Sequence, residues 1–236
     1  MRADAQVAQP EASEVLAESQ PGRRLSDLAY TRILENLFDR RLPAGAFVSQ
    51  NDLVKLLGIP VAPLRDALRT LEVEGILTIH PRSGIQFVKP GMELTKSTYQ
   101  FRTIIERAAV RNFAEWGEED LIKEMGARHR AVSADIDNAG LTRESMAELE
   151  ELESLLHNSV IDILRNPLID VSYKRMHTYL KLVRLDRKLT VPLAQRSIRE
   201  HLEIIDACAA RDPDRAEAAL IAHFHAALQR HLGMFI

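Results

Sequence analysis

Residues 49–88 read SQNDLVKLLGIPVAPLRDALRTLEVEGILTIHPRSGIQFV. Two apolar patterns of helical period lie inside this stretch. Leu53, Leu56 and Leu57 follow i, i+3, i+4 spacing and predict a short helix over 51–57. Leu64, Leu68 and Leu71 form one stripe over 62–74 and leave Arg65 and Arg69 turned away from it. Gly58 lies between the two helices, where a tight turn needs a residue tolerant of positive φ. After Gly75 the period shortens. Ile76, Leu77 and Ile79 lead into the polar turn Pro81-Arg82-Ser83-Gly84, and Ile85, Phe87 and Val88 follow it. Helix, turn, helix and a two-stranded wing make a winged helix-turn-helix, whose second helix keeps a polar side for a DNA major groove.

Upstream, a helix is expected over 26–41, with Ser26 as N-cap and Leu28, Ile33, Leu34, Leu37 and Phe38 inward. Residues 1–22 are polar and rich in small side chains, and they read as a disordered leader with a loose helix possible over 11–18. Downstream, Lys89-Pro90-Gly91 is the best boundary in the chain, which places a winged-helix domain at 23–90 and a second domain at 93–236. Strand signals end there. Amphipathic helices fit 94–116, 118–138, 142–165, 167–188, 192–211 and 213–233. Gly117 and Gly140 fall between helices. Pro167, Pro192 and Pro213 fall at or near helix starts, where a missing N–H costs nothing. The fold class expected is therefore mainly α, a winged helix-turn-helix followed by an antiparallel bundle of about six helices.

Composition agrees with two domains in 236 residues: 46% hydrophobic but only 5% aromatic, which favours aliphatic helical cores. No apolar run approaches bilayer length, and no basic end followed by an apolar stretch opens the chain. A single cysteine, Cys208, excludes an internal disulfide framework and suits a reducing cytoplasm. It follows Ile204 and Ile205 on a helical stripe, as a buried inert thiol would. The net charge of -3 is unevenly spread. Residues 22–92 carry ten Lys and Arg against seven Asp and Glu, so the basic excess falls on the winged helix, where phosphates would meet it. The excess is small, and two copies in a dimer would double it.

The run Ile59-Pro60-Val61-Ala62-Pro63-Leu64-Arg65-Asp66-Ala67-Leu68, followed by Leu71-Glu72, Glu74-Gly75 and the wing glycine Gly84, resembles the DNA-binding domain of the GntR family of bacterial transcription regulators. Proline at its fifth place, arginine at its seventh and the Ala-Leu pair are kept. Pro60-Val61-Ala62 departs from the family's Ser-Arg-Thr, and Asn51 stands where members often have arginine. The resemblance implies a double-stranded DNA operator as partner. It implies DNA contacts for Arg65, Ala62 and Asn51, and for Arg82 and Gly84 in the wing. The helical bundle resembles the FCD-type ligand-binding domain of the FadR-like subfamily. Six helices rather than seven would suit its shorter, VanR-like branch.

Most of the eight histidines fall in the bundle. Glu153 and His157 are four apart and project from one helical face. On spacing alone such a pair is more often solvated than ligating. His223 and His225 lie about 200° apart on a helix, so only one can face inward. The resemblance to FCD domains implies more: Glu153-x-x-x-His157, His201 and His223 match the positions at which that family holds a divalent metal. Glutamate replaces the family's aspartate, and Leu156 replaces phenylalanine. Imidazole and carboxylate suit zinc, with nickel or manganese as alternatives. Arg102, in Phe101-Arg102-x-x-Ile105-Glu106, matches a run whose arginine faces the effector pocket and implies a small carboxylate effector. A surface pair with Glu106 at i+4 explains the same spacing. His129, His177 and His231 have no partner at a telling spacing.

The reading is of a dimeric, metabolite-responsive regulator, in the sense of a repressor, and not an enzyme. The alternatives are a metal-dependent hydrolase and a winged-helix protein-interaction module. Against the hydrolase, the chain carries no H-E-x-x-H, no G-x-S-x-G, no P-loop and no dinucleotide glycine run.

Overall fold

The computed structural model describes residues 21–185 and 188–231. The chain divides into two compact units, Met1–Lys89 and Pro90–Ile236. The leader expected at 1–22 lies almost wholly outside the described residues.

The first unit runs α1 (Pro21–Phe38), β1 (Phe47–Val48), α2 (Gln50–Leu57), α3 (Val61–Val73), β2 (Leu77–His80) and β3 (Gly84–Phe87). Ser49 starts α2 with a reciprocal cap. Its Oγ accepts from Asp52 N–H, and the Asp52 carboxylate accepts from Ser49 N–H. Gly58 ends α2 in the left-handed region at φ 65°. The next helix can then begin after Pro60. Leu64, Ala67, Leu68 and Leu71 of α3 are buried, and α3 packs on α1, whose Ala29, Ile33 and Leu37 are buried too. Arg32 Nη1 donates to the Leu57 carbonyl at 2.8 Å, and Tyr30 Oη donates to Glu74 at 2.8 Å, tying α1 to the motif.

Three expectations need correction. Helix α1 begins at Pro21, five positions before Ser26, because proline is favoured at a first helical position and Pro21-Gly22 is a start and not a break. Leu28 is 39% exposed, with Ala29 taking the inward place, and Leu56 is 47% exposed. The wing has a third strand: the order is β1-β3-β2, with Phe47 opposite Gln86 and Val48 opposite Ile85. A two-residue strand is too short to show an alternating pattern. Its presence explains Gly84, which has φ 131° and whose Cβ would stand 2.8 Å from the Val48 carbonyl oxygen.

The second unit holds six helices among the described residues: α4 (Met92–Trp116), α5 (Glu119–Ala139), α6 (Arg143–Asp162), α7 (Pro167–Arg184), α8 (Val191–Ala209) and α9 (Pro213–His231). Thr142 and Ser145 form the capping box of α6, and Asn166 caps α7 just before Pro167. Helix α4 packs against α6, α7, α8 and α9, and α5 packs against α6 and α8. The main core includes Tyr99, Phe113, Leu156, Val160, Ile204, Leu220 and Phe224; Val132, Ile136, Leu152, Ala194 and Ile198 form a second cluster. Cys208 is buried, which pushes its thiol up to about 12 and makes it inert. No described helix is long and apolar enough to cross a membrane.

Candidate metal centre and nucleic-acid interface

Glu153 and His157 lie on α6, His201 on α8 and His223 on α9. One ligand-type atom from each falls within 4.8 Å of all the others. The three histidines are only 1%, 4% and 1% exposed. A solvated Glu153–His157 pair is therefore not what the fold makes of that spacing. His225, the neighbour that cannot share the inward face, is exposed.

Each ring is held through Nδ1. His157 Nδ1 donates to Glu106 Oε2 at 2.5 Å, and His223 Nδ1 donates to Glu200 Oε2 at 2.9 Å. His201 is held by a relay. The Met125 carbonyl can only accept, so His129 Nδ1 donates to it at 2.7 Å. That leaves the His129 Nε2 lone pair to accept from His201 Nδ1 at 3.2 Å. All three rings consequently present an Nε2 lone pair inward. Those three Nε2 atoms are buried and make no hydrogen bond. Two of them, on His157 and His201, face the Glu153 carboxylate at 3.5 and 3.4 Å. Lone pairs and an anion facing one another in a dry interior repel, and a cation among them reverses the sign. The donor set fits a divalent ion on these grounds.

A charged shell surrounds the four. Glu106 Oε1 accepts from Arg102 Nε at 2.7 Å and Tyr173 Oη at 2.8 Å. Glu153 Oε1 accepts from Arg184 Nη2 at 2.7 Å. Glu200 receives both terminal nitrogens of Arg230, at 2.6 and 2.7 Å. Burial holds the His157 and His201 rings below the usual histidine range and brings His223 to about 4. Burial opposes ionisation of Glu106, but Arg102 and then His157 overcome it and hold that carboxyl at about 2. Against the same burial, Arg184 and His157 keep Glu153 well below the usual range. At neutral pH the site is thus neutral imidazoles beside ionised carboxylates, the protonation that metal ligation needs.

Arg102 is not the surface arginine that its spacing alone allowed. It pairs with Glu106 at i+4, yet it is 1% exposed, and its guanidinium lies 4.5 Å from the Phe224 ring centroid. Its Nη1 lies 3.5 Å from Glu153 Oε1, so it stands beside the candidate ligands.

In the first unit, Arg65, Arg82 and Gly84 line one groove between α3 and the wing, together with Gln50, Arg69 and His80. Arg65 is exposed and donates from Nε to Gln50 Oε1 at 3.3 Å. Arg82 is exposed at the wing turn with φ 66°. Asn51 and Ala62 are exposed on α2 and α3 but do not line the groove.

Residues 25–87 match the model of the bacterial regulatory proteins of the gntR family, and residues 97–226 match the FCD domain. The chain belongs to the GntR family and carries an FCD domain. This GntR regulator is 20% identical over 200 residues to the HTH-type transcriptional regulator YdhC of Bacillus subtilis (strain 168), covering 83% of the present chain and 86% of YdhC. Its fold is shared with E. coli McbR/YncC, at TM-score 0.70 and 14% identity over 90% of this chain and 99% of that one. It is shared equally with a GntR protein from Rhodococcus sp. RHA1, at TM-score 0.71 and 18% identity over the same shares. The protein is a transcription regulator and not an enzyme.

Sequence reasoning about the FCD domain missed Glu106, His129, Arg184 and Glu200 as partners of the candidate ligands, and Tyr173 and Arg230 as the groups that hold Glu106 and Glu200. Two signals were present. Arg102 and Glu106 interrupt the apolar stripe Tyr99, Ala109, Phe113 of α4, and His129 interrupts Ile122, Met125, Val132, Ile136 of α5. Polar residues on a buried stripe need partners inside the fold.

Proposed function

We propose that this regulator is a homodimeric, metal-dependent repressor that answers to a small carboxylate. Its FCD domain would hold one divalent ion on the Glu153 carboxylate and on Nε2 of His157, His201 and His223. The observation that carries this reading is the three buried Nε2 atoms without a hydrogen bond, two of them facing one carboxylate. Three imidazoles and a carboxylate favour zinc; nickel and manganese are the alternatives. The ion would supply a fixed positive charge and a Lewis-acidic anchor for an anionic group. Arg102 would orient that group with its guanidinium, the side chain best shaped for a carboxylate. Residues 23–90 would bind the operator through Arg65, Ala62, Asn51, Arg82 and Gly84, and residues 93–236 would sense. A carboxylate that binds one state of the dimer better than the other shifts DNA affinity by that difference and no more. The small basic excess of one winged helix supports a dimer on DNA, and the lone buried thiol suits the reducing cytoplasm.

A gel shift with the DNA upstream of the chain's own gene tests the reading. Specific retardation that weakens with salt is expected, and it should change on chelation and on adding one member of a panel of organic acids. In a thermal-shift series the same acid should stabilise wild type and not Arg102→Met. Retardation indifferent to both chelator and every acid would leave a DNA binder without the sensor.

A further inference from the structure

Helix α3 opens with two apolar residues that the core does not use. Val61 is 39% exposed and Ala62 is exposed, while Leu64, Ala67, Leu68 and Leu71 carry the buried face. Between this pair and Val73 at the far end of the helix, itself 78% exposed, the outward face is polar: Arg65, Asp66, Arg69 and Thr70 are all exposed. The pair therefore forms a small apolar patch at the first turn, with Arg65 one turn further on. In a helix-turn-helix the N-terminal residues of the second helix reach the base edges. Neither Val61 nor Ala62 has a side-chain hydrogen-bonding group, so neither can read a base by donor or acceptor. One unmodified base shows an apolar group in the major groove: thymine, through its C5-methyl.

We infer that Val61 and Ala62 read the C5-methyl of a thymine in each operator half-site. The inference rests on the DNA-binding role of the winged helix. Val61 supplies the contact surface, and the small Ala62 lets the helix come close. Arg65, whose Nε is already steered by Gln50 Oε1 at 3.3 Å, stays free at its outer nitrogens to donate to a neighbouring base. The half-site is thus selected at one position by shape and at the next by hydrogen bonding.

The experiment uses the full-length chain and half-sites selected from random DNA. Each thymine is replaced in turn by uracil, which pairs identically and lacks only the methyl. One replacement should weaken binding by about fourfold, the worth of one buried carbon. With the double variant Val61→Ser/Ala62→Gly that loss should vanish, while the losses caused by changing other bases persist. The uracil series on wild type stands without any protein variant. Specific binding that is indifferent to uracil at every thymine would overturn this inference alone, as would an equal loss in wild type and double variant. Absence of any sequence-selective binding would overturn the DNA-binding reading, and this inference with it.

Discussion

His201 donates its Nδ1 proton to His129 Nε2 across 3.2 Å, and this bond sets which nitrogen of His201 faces the candidate ligands. The relay ends on the Met125 carbonyl, so the tautomer of both rings follows from a backbone oxygen. His129 would thereby act on a bound metal through another ring and not as a ligand.

Replacing that acceptor should loosen the site without removing a ligand. His129→Leu is expected to weaken zinc binding by about 10–100-fold, because partners behind metal ligands typically carry that much. His201→Ala should cost more. Competition titration against a chromophoric chelator measures both. Equal affinity in His129→Leu and wild type would show that the relay does nothing.

Glu106 joins Arg102, Tyr173 and His157 in one buried network. Glu106→Gln removes the closer of the two anions on the buried Arg102 guanidinium and leaves only Glu153, 3.5 Å from Nη1. The metal-free protein should lose about 3–5 kcal/mol of stability in urea unfolding. A change under about 1 kcal/mol, the ceiling typical of exposed pairs, would mean that water screens the pair.

Stability of the metal-free protein should fall on acidification in two stages. Burial holds His223 at about 4, and burial together with His201 holds His129 there, against 6.5 for an ordinary histidine. Between those values the unfolded chain takes up protons that the fold refuses, so stability drops as pH falls from 6.5 towards about 4. The loss is on the order of 1 kcal/mol per pH unit for each ring. Glu106 and Glu200, both held at about 2 against 4.5, add a second loss below 4.5. Urea midpoints at about pH 7, 6 and 5 check the first stage. A flat profile there would mean that these rings are not buried as neutral groups.

Arg65 lines the groove between α3 and the wing and is exposed. Arg65→Ala should weaken operator binding by about 1–3 kcal/mol if it reads a base, and should relax selectivity at that base alone. A uniform loss across all sequences, with a shallower salt slope, would make it a phosphate contact instead. Unchanged affinity would remove it from the interface.

Much of the helical frame was legible because it is local. Pro167 and Pro213 open α7 and α9, where proline is favoured, Gly140 closes α5 at φ 73°, and Gly117 follows α4 in ordinary extended backbone. The two long stripes of α3 and α8 are periodic enough to read directly. Strand β1 was not legible, since two residues carry no period and its pairing with β3 is a tertiary fact. The candidate ligands were half legible. Glu153 and His157 share a face by spacing, but His201 and His223 came from resemblance, because convergence of α6, α8 and α9 leaves no mark in the chain. Their partners were illegible for the same reason: Glu106 reaches His157 across 51 positions and His129 reaches His201 across 72. Glu200, next to His201, holds His223 instead, which a helix of known sequence but unknown neighbours cannot reveal.

The claim on which the sensing half depends is that Glu153, His157, His201 and His223 hold one ion. Elemental analysis of untagged protein purified without added metal tests it most directly, with His157→Ala and His201→Ala alongside, each checked for helicity. About one divalent ion per chain is predicted for wild type, zinc foremost, and little in either folded variant. Equal metal content in all three would contradict the account.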